Sequence, residues 1–336
     1  MKHGANIYKY ASQLGCHFNE IIDFSSNINS YHSKPNITLT NAMLVKYGDT
    51  TYSFLKDSIK KKYNIKKNQI ALYNGATSAI FALIDSLKER KIYLYAPLYG
   101  EYEKAAYESK KQIIKIDRLK NLYEKPKKDS IVVFVNPSTP DGKYYDLNKL
   151  FKIWEKQNCT VILDESFLEF ENLKSFRDKI ISYKKLYIIQ SFSKFYSCAG
   201  VRIGAIFSNK QNIKKLKTPM WNLSSFDEEF LTQRVDDSEF DKKSKKLHKT
   251  NKKELLRVLR DSKLFTKIYK SDSNFILTKS SKAKAIFENL LQEKILLRTC
   301  GSFDFLSDDY LRFGVKDKEL HRKLEESLER FCLNDK

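Results

Sequence analysis

The stretch that decides the fold covers residues 186–204 and reads LYIIQSFSKFYSCAGVRIG. Its first part, Leu186–Ser191, is a nearly continuous apolar run, which is typical of a strand buried on both faces of a parallel sheet. Lys194 follows between Phe192 and Phe195, so its amine is partly removed from water. Burial lowers the pKa of an amine and favours its attack on carbonyl compounds. The alternative is an ordinary lysine whose stem lies along apolar surface while its amine reaches water.

Similar short runs occur along the first two thirds of the chain, with helical segments between several of them. The other candidate strands are Ile70–Tyr73, Ile92–Tyr95, Ile113–Ile116, Ile131–Val135, Thr160–Asp164 and Arg202–Phe207. The candidate helices between them are Thr77–Lys88, Gly100–Lys110 and Leu147–Gln157. This alternation predicts an α/β domain built on a mostly parallel sheet.

The pattern changes after about Phe226. A long charged segment, roughly Asp227–Asp261, predicts one helix. The later candidate elements are Asn274–Thr278, Ala283–Glu293, Ile295–Thr299, Tyr310–Val315 and Asp317–Phe331. We therefore expect an N-terminal segment (1–45) that packs with a small domain, a large domain (46–225), and an interdomain helix followed by a small α+β domain (226–336).

Basic residues outnumber acidic ones, with 62 Lys+Arg against 41 Asp+Glu, which gives a formal net charge of +21. Such an excess can attract nucleic acid, anionic membranes or phosphorylated metabolites. The lysines are scattered in pairs and triples, such as Lys60–Lys62 and Lys242–Lys243, without one dense basic arm. This distribution favours a solvated, lysine-rich surface, and we expect no nucleic-acid partner.

Composition also bounds the compartment and the metal content. The sequence has no apolar run of 18 residues and no apolar N-terminal stretch of signal-peptide type, so we expect a cytoplasmic protein with no membrane partner. The cysteines are Cys16, Cys159, Cys198, Cys300 and Cys332. Their number is odd and no C-x-x-C pair occurs, which argues against a disulfide framework and a zinc site. We expect no metal.

Polar residues follow the carboxyl ends of several predicted strands, where open α/β sheets bind ligands. Asn74-Gly75-Ala76-Thr77 opens a helix, and its exposed N–H groups suit a phosphate, although a plain helix cap has the same sequence. Asn136 begins the turn N-P-S-T-P-D-G. Asp164-Glu165 ends another strand, where an acidic residue can cap a helix, bind a metal or pair with a ring nitrogen.

Taken in order, these motifs resemble those of the class I/II aminotransferases, which are fold-type I pyridoxal-phosphate (PLP) enzymes. The motifs are N-G-A-T (74–77), P-x-Y (97–99), N-P-x-x-P-x-G (136–142), D-E (164–165) and S-x-S-K-x7-R (191–202). The resemblance covers essentially the whole chain. It implies the aspartate aminotransferase-like fold, with a mostly parallel seven-stranded sheet in a PLP-binding large domain and with Lys194 joined to PLP as a Schiff base.

The resemblance also implies roles for the matched residues. Asp164 pairs with the pyridinium nitrogen, which makes the ring an electron sink. Asn136 binds the phenolic oxygen, Tyr99 stacks on the ring, and Lys194 moves protons. The cofactor phosphate is held by Gly75, Ala76, Thr77, Ser191, Ser193 and Arg202.

Tyr47 lies in Tyr47-Gly48-Asp49, where relatives usually have Y-P-D. In the family this tyrosine reaches the phosphate bound to the partner subunit, so the resemblance implies a homodimer. Gly48 replaces the usual proline, so the backbone of this loop is less restricted than in those relatives.

Within the family, three parts of the chain are similar to threonine-phosphate decarboxylases of cobalamin biosynthesis. The segments at 3–6 (H-G-A-N) and 23–29 (D-F-S-S-N-I-N) match one pair of motifs of that branch. In D-E-S-F-L-E-F (164–170), Phe167 stands where histidinol-phosphate aminotransferases usually carry tyrosine, which would donate a further hydrogen bond to the phenolic oxygen. The decarboxylases usually read D-E-A-F-x-x-F here. The third part comprises L-L-R-T-C (296–300) and Y-L-R-F (310–313).

The substrate of that branch carries a carboxylate and a phosphate, which guanidinium groups bind bidentately. By resemblance, Arg312 binds mainly the carboxylate and Arg298 the phosphate. The further substrate-binding residues implied are His3, Gly4, Asn29 and Asn136. We therefore expect decarboxylation of L-serine phosphate or L-threonine phosphate to ethanolamine phosphate or 1-aminopropan-2-ol phosphate and CO2.

Two other functions stay open. The first is an aminotransferase of the histidinol-phosphate type, which acts on a phosphorylated amine with 2-oxoglutarate. The two activities differ in whether the α-carboxylate or the α-hydrogen is held perpendicular to the cofactor ring, and no motif reports this orientation. The second is a regulatory nucleic-acid-binding protein on the same scaffold, which would need an added DNA-binding domain.

The choice between serine phosphate and threonine phosphate also stays open. The methyl group that separates these two substrates is worth only about 1–3 kcal/mol of binding free energy in a pocket.

Overall fold

A computed structural model of the chain describes residues 6–33 and 36–334. The strands are β1 (Ile22–Asp23), β2 (Ile70–Asn74), β3 (Lys91–Ala96), β4 (Gln112–Asp117), β5 (Ile131–Val135), β6 (Thr160–Asp164), β7 (Leu186–Ser191), β8 (Ile203–Phe207), β9 (Lys267–Ile268), β10 (Phe275–Lys279), β11 (Ile295–Leu296), β12 (Arg298–Thr299) and β13 (Tyr310–Gly314). The α-helices are α1 (Ile7–Leu14), α2 (Asn41–Val45), α3 (Ser53–Tyr63), α4 (Gly75–Ser86), α5 (Glu101–Glu108), α6 (Asn148–Lys156), α7 (Lys210–Lys215), α8 (Ser225–Asp236), α9 (Ser238–Asp261), α10 (Ala283–Gln292) and α11 (Lys318–Asn334).

The large sheet has seven strands in the spatial order β2-β8-β7-β6-β5-β3-β4. Strands β4, β3, β5, β6 and β7 pair in parallel, while β8 runs antiparallel to both of its neighbours, β7 and β2. The mostly parallel seven-stranded sheet is therefore confirmed. Each of its strands ends within one residue of the predicted bounds, because near-continuous apolar runs mark strands that are covered on both faces.

Alternate residues of β5 pack on opposite faces of the sheet, which explains why its sequence, IVVFV, is apolar throughout. Ile131, Val133 and Val135 pack with residues of α4 and α5, while Val132 and Phe134 pack with residues of α6. Burial of a side chain of this size contributes about 1.5–3 kcal/mol. The sheet is thus a well-packed support for the polar residues that follow its strands.

The remaining strands form two smaller sheets. One is antiparallel with the order β12-β13-β10-β9, and the other is the parallel pair of β1 and β11. The N-terminal segment packs against the C-terminal region, since Ala11 of α1 and Ile21 contact Leu291 and Leu296. Helix α1 has no counterpart among the predicted elements, although Asn6 caps it by accepting a hydrogen bond from the Lys9 backbone N–H at 3.2 Å. The segment boundaries at residues 45 and 225 stay predictions.

Two predicted elements are each divided in the structure. The single helix expected over Asp227–Asp261 is two helices, because Asp237 interrupts the helix and caps α9 by accepting a hydrogen bond from the Phe240 N–H at 2.9 Å. The strand expected over Ile295–Thr299 is also two elements. Its first half, β11, pairs with β1, and its second half, β12, pairs with β13. Leu297 is the point at which the chain passes from one sheet to the other.

Candidate active site

The predicted residues that follow the strands of the large sheet lie along one edge of that sheet. The parallel strands β3, β5, β6 and β7 end there, and so does β2, which is separated from β7 only by the antiparallel β8. Contacts link the loops that follow these strands. The Tyr99 hydroxyl lies 3.4 Å from Thr77 Oγ1, and the Asn136 N–H donates to the carbonyl of Asp164 at 2.8 Å. Topology thus collects side chains that are far apart in sequence.

Lys194 is half-buried in the turn between β7 and β8. Burial, together with the positive charges of Arg202 and Arg312, lowers the pKa of its amine to about 8, against the opposing effect of the Asp164 carboxylate. Its backbone carbonyl accepts a hydrogen bond from the Asn29 N–H at 2.9 Å. A substantial fraction of this amine is therefore neutral near pH 8, which suits it to attack a carbonyl carbon.

Asp164 ends β6 and is buried, with 5% of its surface exposed. Its Oδ2 accepts a hydrogen bond from the Tyr102 hydroxyl at 2.8 Å, and its Oδ1 accepts one from the Ser166 N–H at 2.9 Å. Burial raises the pKa of this carboxyl, and among the described residues no basic side chain forms an ion pair with it. A buried carboxylate without a protein cation fits a protonated ring nitrogen.

The junction of β2 and α4 forms a cradle against Arg202. Gly75 has φ +78°, and a Cβ there would lie 2.8 Å from a guanidinium nitrogen of Arg202. Gly204 faces the same junction, and a Cβ there would lie 2.3 Å from the backbone nitrogen of Ala76. Glycines thus let β8 and Arg202 approach the first turn of α4, whose N–H groups have no intrahelical partners. This cradle fits the phosphate of PLP, with Thr77 beside it.

Ser191 and Ser193 are both buried at the end of β7. The Ser191 N–H donates to Ser166 Oγ at 3.0 Å, and the Ser193 carbonyl accepts from the Cys198 N–H at 3.2 Å. These backbone bonds fix the turn that carries Lys194. The phosphate-binding roles of the two hydroxyls stay predictions.

Asn136 follows β5 and holds the loop beyond it. Its Nδ2 donates to the Tyr145 carbonyl at 3.0 Å, and its Oδ1 accepts from the Tyr145 N–H at 2.8 Å. An amide has two N–H donors, so one remains for an oxygen of the cofactor or substrate.

Phe167 is buried and packs edge-on against Phe275, with ring centroids 5.1 Å apart. Because its ring carries no hydroxyl, Phe167 cannot donate the hydrogen bond that a tyrosine at this position would donate to the phenolic oxygen of the cofactor.

Arg298 and Arg312 are directly opposite each other in the β12–β13 pair, and both are buried. Arg312 donates to Thr139 Oγ1 at 3.1 Å and to the Ser25 carbonyl at 3.0 Å, while its Nε is buried without a hydrogen bond. Burial lowers the pKa of Arg312 to about 10 and also lowers the pKa of Arg298. Arg298 donates to Ser302 Oγ at 2.9 Å. The two strands therefore place two guanidinium groups side by side in a water-poor region.

The other predicted substrate and partner residues are placed differently. His3 and Gly4 lie outside the described residues. The Asn29 amide already donates to the Phe195 carbonyl at 2.8 Å and to Ser244 Oγ at 2.9 Å, so it fastens the N-terminal segment near Lys194 and has no spare N–H for a phosphate. Tyr47 is 82% exposed and packs on Trp221, with ring centroids 4.5 Å apart.

Sequence reasoning missed two groups that organise the site. Tyr102, on α5, is fully buried against Asp164. Arg118, just after β4, forms a buried bidentate ion pair with Asp141, with nitrogen–oxygen distances of 2.7 and 3.0 Å. The one signal for the second group was Asp141 itself, since an acidic residue in a buried turn needs a cation. Its position in sequence does not indicate which cation.

The described residues contain no group of three or more His, Cys, Asp or Glu side chains placed to hold a metal ion. None of the helices within 6–33 and 36–334 combines the length and the apolar character that crossing a bilayer requires.

Comparison with known proteins identifies the family. A relative, the adenosylcobalamin biosynthesis bifunctional protein CobDQ of Leptospira interrogans, is 30% identical over 350 residues, which cover 96% of this chain but only 40% of that protein. The crystal structure of the histidinol-phosphate aminotransferase from Clostridium acetobutylicum is 27% identical, with a TM-score of 0.82 over 94% of this chain and 100% of that one. The L-threonine-O-3-phosphate decarboxylase from Porphyromonas gingivalis is 20% identical and shares the fold, with a TM-score of 0.79 over 93% of this chain and 99% of that one.

The family itself is shown by a match along almost the whole chain. The sequence model of the class I and II aminotransferases matches residues 4–328, and enzymes of this family depend on PLP. The cradle at Gly75, the buried Asp164 and the amine of Lys194 fit this cofactor. The chain is a member of the class I and II aminotransferase family of PLP-dependent enzymes.

Proposed function

We propose that the chain decarboxylates an O-phosphorylated amino acid, L-serine phosphate or L-threonine phosphate, to the amino-alcohol phosphate and CO2. The observation that carries this proposal is the pair of buried arginines, Arg298 and Arg312, opposite each other in two strands. Like charges in directly opposite positions destabilise a sheet, and buried charges need partners. Among the described residues no carboxylate forms an ion pair with Arg312. A substrate carboxylate would supply such a partner to Arg312, and Arg298, opposite it in the sheet, would hold the phosphate.

The residues of the chain divide the work of such a reaction. PLP, when bound, supplies an electron sink for the charge left at the substrate α-carbon. Arg312 holds the α-carboxylate, and Arg298 holds the phosphate. Asp164 keeps the ring nitrogen protonated, and Lys194 delivers a proton to the α-carbon after CO2 has left. The buried surroundings of these groups strengthen each electrostatic contact, because water is excluded.

Two further observations support decarboxylation. Phe167 is buried beside Phe275, so the hydroxyl that aminotransferases of the histidinol-phosphate type usually place there is missing. The relative from Leptospira is named for adenosylcobalamin biosynthesis, the pathway of the threonine-phosphate decarboxylases that the sequence resembles.

The second candidate is transamination of a phosphorylated amine with 2-oxoglutarate. It is favoured by the 27% identity to the histidinol-phosphate aminotransferase from Clostridium acetobutylicum. In that reaction Arg298 would hold the phosphate of the amine, and Arg312 a carboxylate of 2-oxoglutarate. Both candidates therefore use the same arginines, so the arginines do not decide between them and an assay of the reaction is needed.

The proposal includes a homodimer. Several large apolar side chains are exposed on the loops and helices around Tyr47. They are Leu39, Leu44, Val45, Phe54, Met220 and Trp221. Where such side chains adjoin on the surface, as Tyr47 and Trp221 do, they mark an interaction site. A second copy of the chain would cover it and would bring Tyr47 to the partner's cofactor phosphate.

An assay of the PLP-loaded protein decides between the two activities. We expect CO2 release from phosphoserine or phosphothreonine with no keto acid present, since decarboxylation consumes a single substrate. Release is followed by trapping labelled CO2 from carboxyl-labelled substrate. Amine transfer to 2-oxoglutarate without CO2 release would reject decarboxylation and favour the second candidate.

Arg298→Leu tests the phosphate-binding role. We expect kcat/KM for the phosphorylated substrate to fall roughly 30- to 150-fold, which corresponds to about 2–3 kcal/mol for truncating one partner of a buried charge pair. The slow reaction of unphosphorylated serine or threonine should change little, because these substrates offer no phosphate. Steady-state kinetics with both kinds of substrate measure the difference.

The matched control is Arg322→Leu. Arg322 lies on α11, in the C-terminal region that also contains Arg298, and its side chain is 70% exposed. This variant removes an arginine without touching the site, so both reactions should keep their rates. If Arg298→Leu slows both kinds of substrate equally, Arg298 does not recognise the phosphate.

A further inference from the structure

Glu169 is a buried acidic residue that the proposed reaction does not use. It lies in a short 3₁₀ helix, Leu168–Phe170, that follows β6. Among residues 6–33 and 36–334, no basic side chain forms an ion pair with it. A carboxylate that is buried without a cation needs hydrogen-bond donors. The donors around Glu169 therefore indicate which parts of the chain it holds together.

Two tyrosine hydroxyls donate to the same oxygen of this carboxylate. Glu169 Oε1 accepts a hydrogen bond from the Tyr63 hydroxyl at 2.7 Å and one from the Tyr196 hydroxyl at 2.9 Å. Tyr63 is the last residue of α3, whereas Tyr196 lies two residues after Lys194. Only one of these two contacts therefore reaches the turn that carries Lys194.

The other oxygen of Glu169 contacts the strand that precedes this turn. Glu169 Oε2 accepts from Gln190 Nε2 at 3.2 Å, and Gln190 is fully buried in β7, four residues before Lys194. The orientation of this amide is fixed, because its Oε1 accepts from Arg177 at 2.5 Å and a guanidinium group can only donate. The amide nitrogen must then face Glu169. The carboxylate thus holds both ends of the segment 190–196, with Lys194 between the two contacts.

We propose that Glu169 is a positioning residue that holds the turn around Lys194 in one conformation before the cofactor binds. A turn that is already ordered loses less conformational entropy when its amine joins PLP. Ring packing supports the same arrangement, since Phe170, next to Glu169, packs edge-on against Phe195, next to Lys194, with ring centroids 5.4 Å apart. The inference rests on the proposed role of Lys194 as the cofactor lysine and not on the choice of substrate.

Tyr196→Phe, prepared as the full-length protein, tests this role with PLP alone. The substitution keeps the ring, which packs on Phe195 and Phe240, and removes the hydroxyl that joins the turn to Glu169. We expect the Kd for PLP to rise about tenfold, as loss of one hydrogen bond to a charged group implies. Titration of the apoprotein with PLP, followed by the absorbance of the bound cofactor, measures the Kd. Borohydride reduction and mass spectrometry identify the lysine that is labelled.

Tyr63→Phe is the matched control, because it removes the other hydroxyl from the same carboxylate oxygen. Both variants leave Glu169 with one donor fewer, so both should lower the urea concentration at which half of the protein is unfolded. Tyr63 has no contact with the turn other than through the hydroxyls and Glu169. Its replacement should therefore raise the Kd for PLP by less than about twofold.

Glu169→Gln tests the carboxylate itself. A carboxamide has one oxygen, so if it accepts from the tyrosines its own N–H group faces the N–H group of Gln190, and two donors oppose each other. We expect the Kd for PLP to rise at least as much as in Tyr196→Phe. If this variant does not fold, the two tyrosine variants still decide the question.

A tenfold difference in Kd between Tyr196→Phe and Tyr63→Phe would support the proposal. Equal Kd values for these two variants, whether raised or unchanged, overturn it, because Glu169 would then act on the stability of the fold and not on the turn. A label on another lysine in the unmutated protein would overturn the role of Lys194 and this inference with it. Label on Lys194 together with equal Kd values overturns the inference alone. Failure of the decarboxylation assay leaves all these expectations unchanged.

Discussion

Lys194→Ala is expected to lower the rate of substrate turnover by at least about 10³-fold while the protein stays folded. The variant loses the amine that we propose to bind the cofactor covalently and to move a proton at the substrate α-carbon, and a positioned acid–base group alone contributes about 10²- to 10⁴-fold. Single-turnover assays measure the rate. Borohydride reduction followed by mass spectrometry should find the cofactor on the peptide that contains residue 194 in the unmutated protein, and on no peptide of the variant.

The control for this experiment is Lys185→Ala. Lys185 precedes the same strand, β7, and its amine donates to the Asn158 carbonyl at 3.1 Å, at the opposite end from Lys194. The control should keep both the rate and the cofactor label. Full activity in Lys194→Ala, or a label on another lysine, would show that the cofactor is held elsewhere.

The lowered pKa of Lys194 gives the same experiment a dependence on pH. Only the neutral amine attacks the aldehyde of PLP, and burial with the charges of Arg202 and Arg312 lowers its pKa to about 8. The apoprotein should therefore take up PLP faster as pH rises toward 8, by up to about tenfold per pH unit below that value, and level off above it. A rate that rises steadily to pH 10 would indicate an amine with an ordinary pKa.

The strands and the residues that follow them were predictable from the sequence because both signals are local. An apolar run such as Thr160–Asp164 marks a strand buried on both faces, and the polar residue at its end falls at the ligand-binding edge of a parallel sheet. Asp164, Asn136 and Lys194 were all located in this way. Their positions need only the strand ends and the order of the motifs along the chain.

The missed contacts depend on packing between distant segments. Tyr102 reaches Asp164 across 62 residues of sequence, and nothing near either residue indicates the other. Arg298 and Arg312 were selected by resemblance, but their direct opposition follows from the register of β12 and β13, which a single predicted strand over Ile295–Thr299 does not contain. Asn29 shows the converse, since its motif suggested a ligand contact while its amide is used by the fold.

The buried pair of Arg118 and Asp141 shows how far such packing supports the site. Arg118 donates to both carboxylate oxygens of Asp141, to the Pro97 carbonyl at 3.0 Å and to the Tyr145 hydroxyl at 2.9 Å. Pro97 begins the loop that carries Tyr99, and Tyr145 is the residue whose backbone holds the Asn136 amide. The guanidinium group thus connects the two loops that are expected to contact the cofactor ring.

Arg118→Met is expected to lower the free energy of unfolding by about 3–5 kcal/mol, because it leaves the Asp141 carboxylate buried without its cation. Urea-induced unfolding, followed by circular dichroism, measures the change. Replacing both partners, as in Arg118→Met with Asp141→Leu, should recover most of the loss, since no unpaired charge then remains. If the single and the double variant are equally unstable, the loss comes from packing and not from the unpaired carboxylate.

The ion pair of Arg118 and Asp141 should also affect how the stability of the protein depends on pH. Arg118 holds the pKa of Asp141 below its ordinary value, although burial acts in the opposite direction. A carboxyl with a lowered pKa in the folded state stabilises the protein above its ordinary pKa, and this stabilisation is lost as the pH falls below about 4. As the pH falls below about 4, the unmutated protein should therefore lose stability more steeply than the double variant, which lacks this carboxyl.

Arg257 provides the comparison that assigns these effects to burial. It contacts three acidic residues, Glu254, Asp261 and Glu325, yet its side chain is 44% exposed. Arg257→Met should cost at most about 1 kcal/mol, because water solvates the carboxylates that lose their partner. Arg118 has one acidic partner, Asp141, and its side chain is 1% exposed. When this guanidinium group is removed, water cannot solvate the buried Asp141 carboxylate in its place. The arginine with fewer acidic contacts should therefore be the more important one for stability, since the cost depends on the exposure of the charge that is left behind.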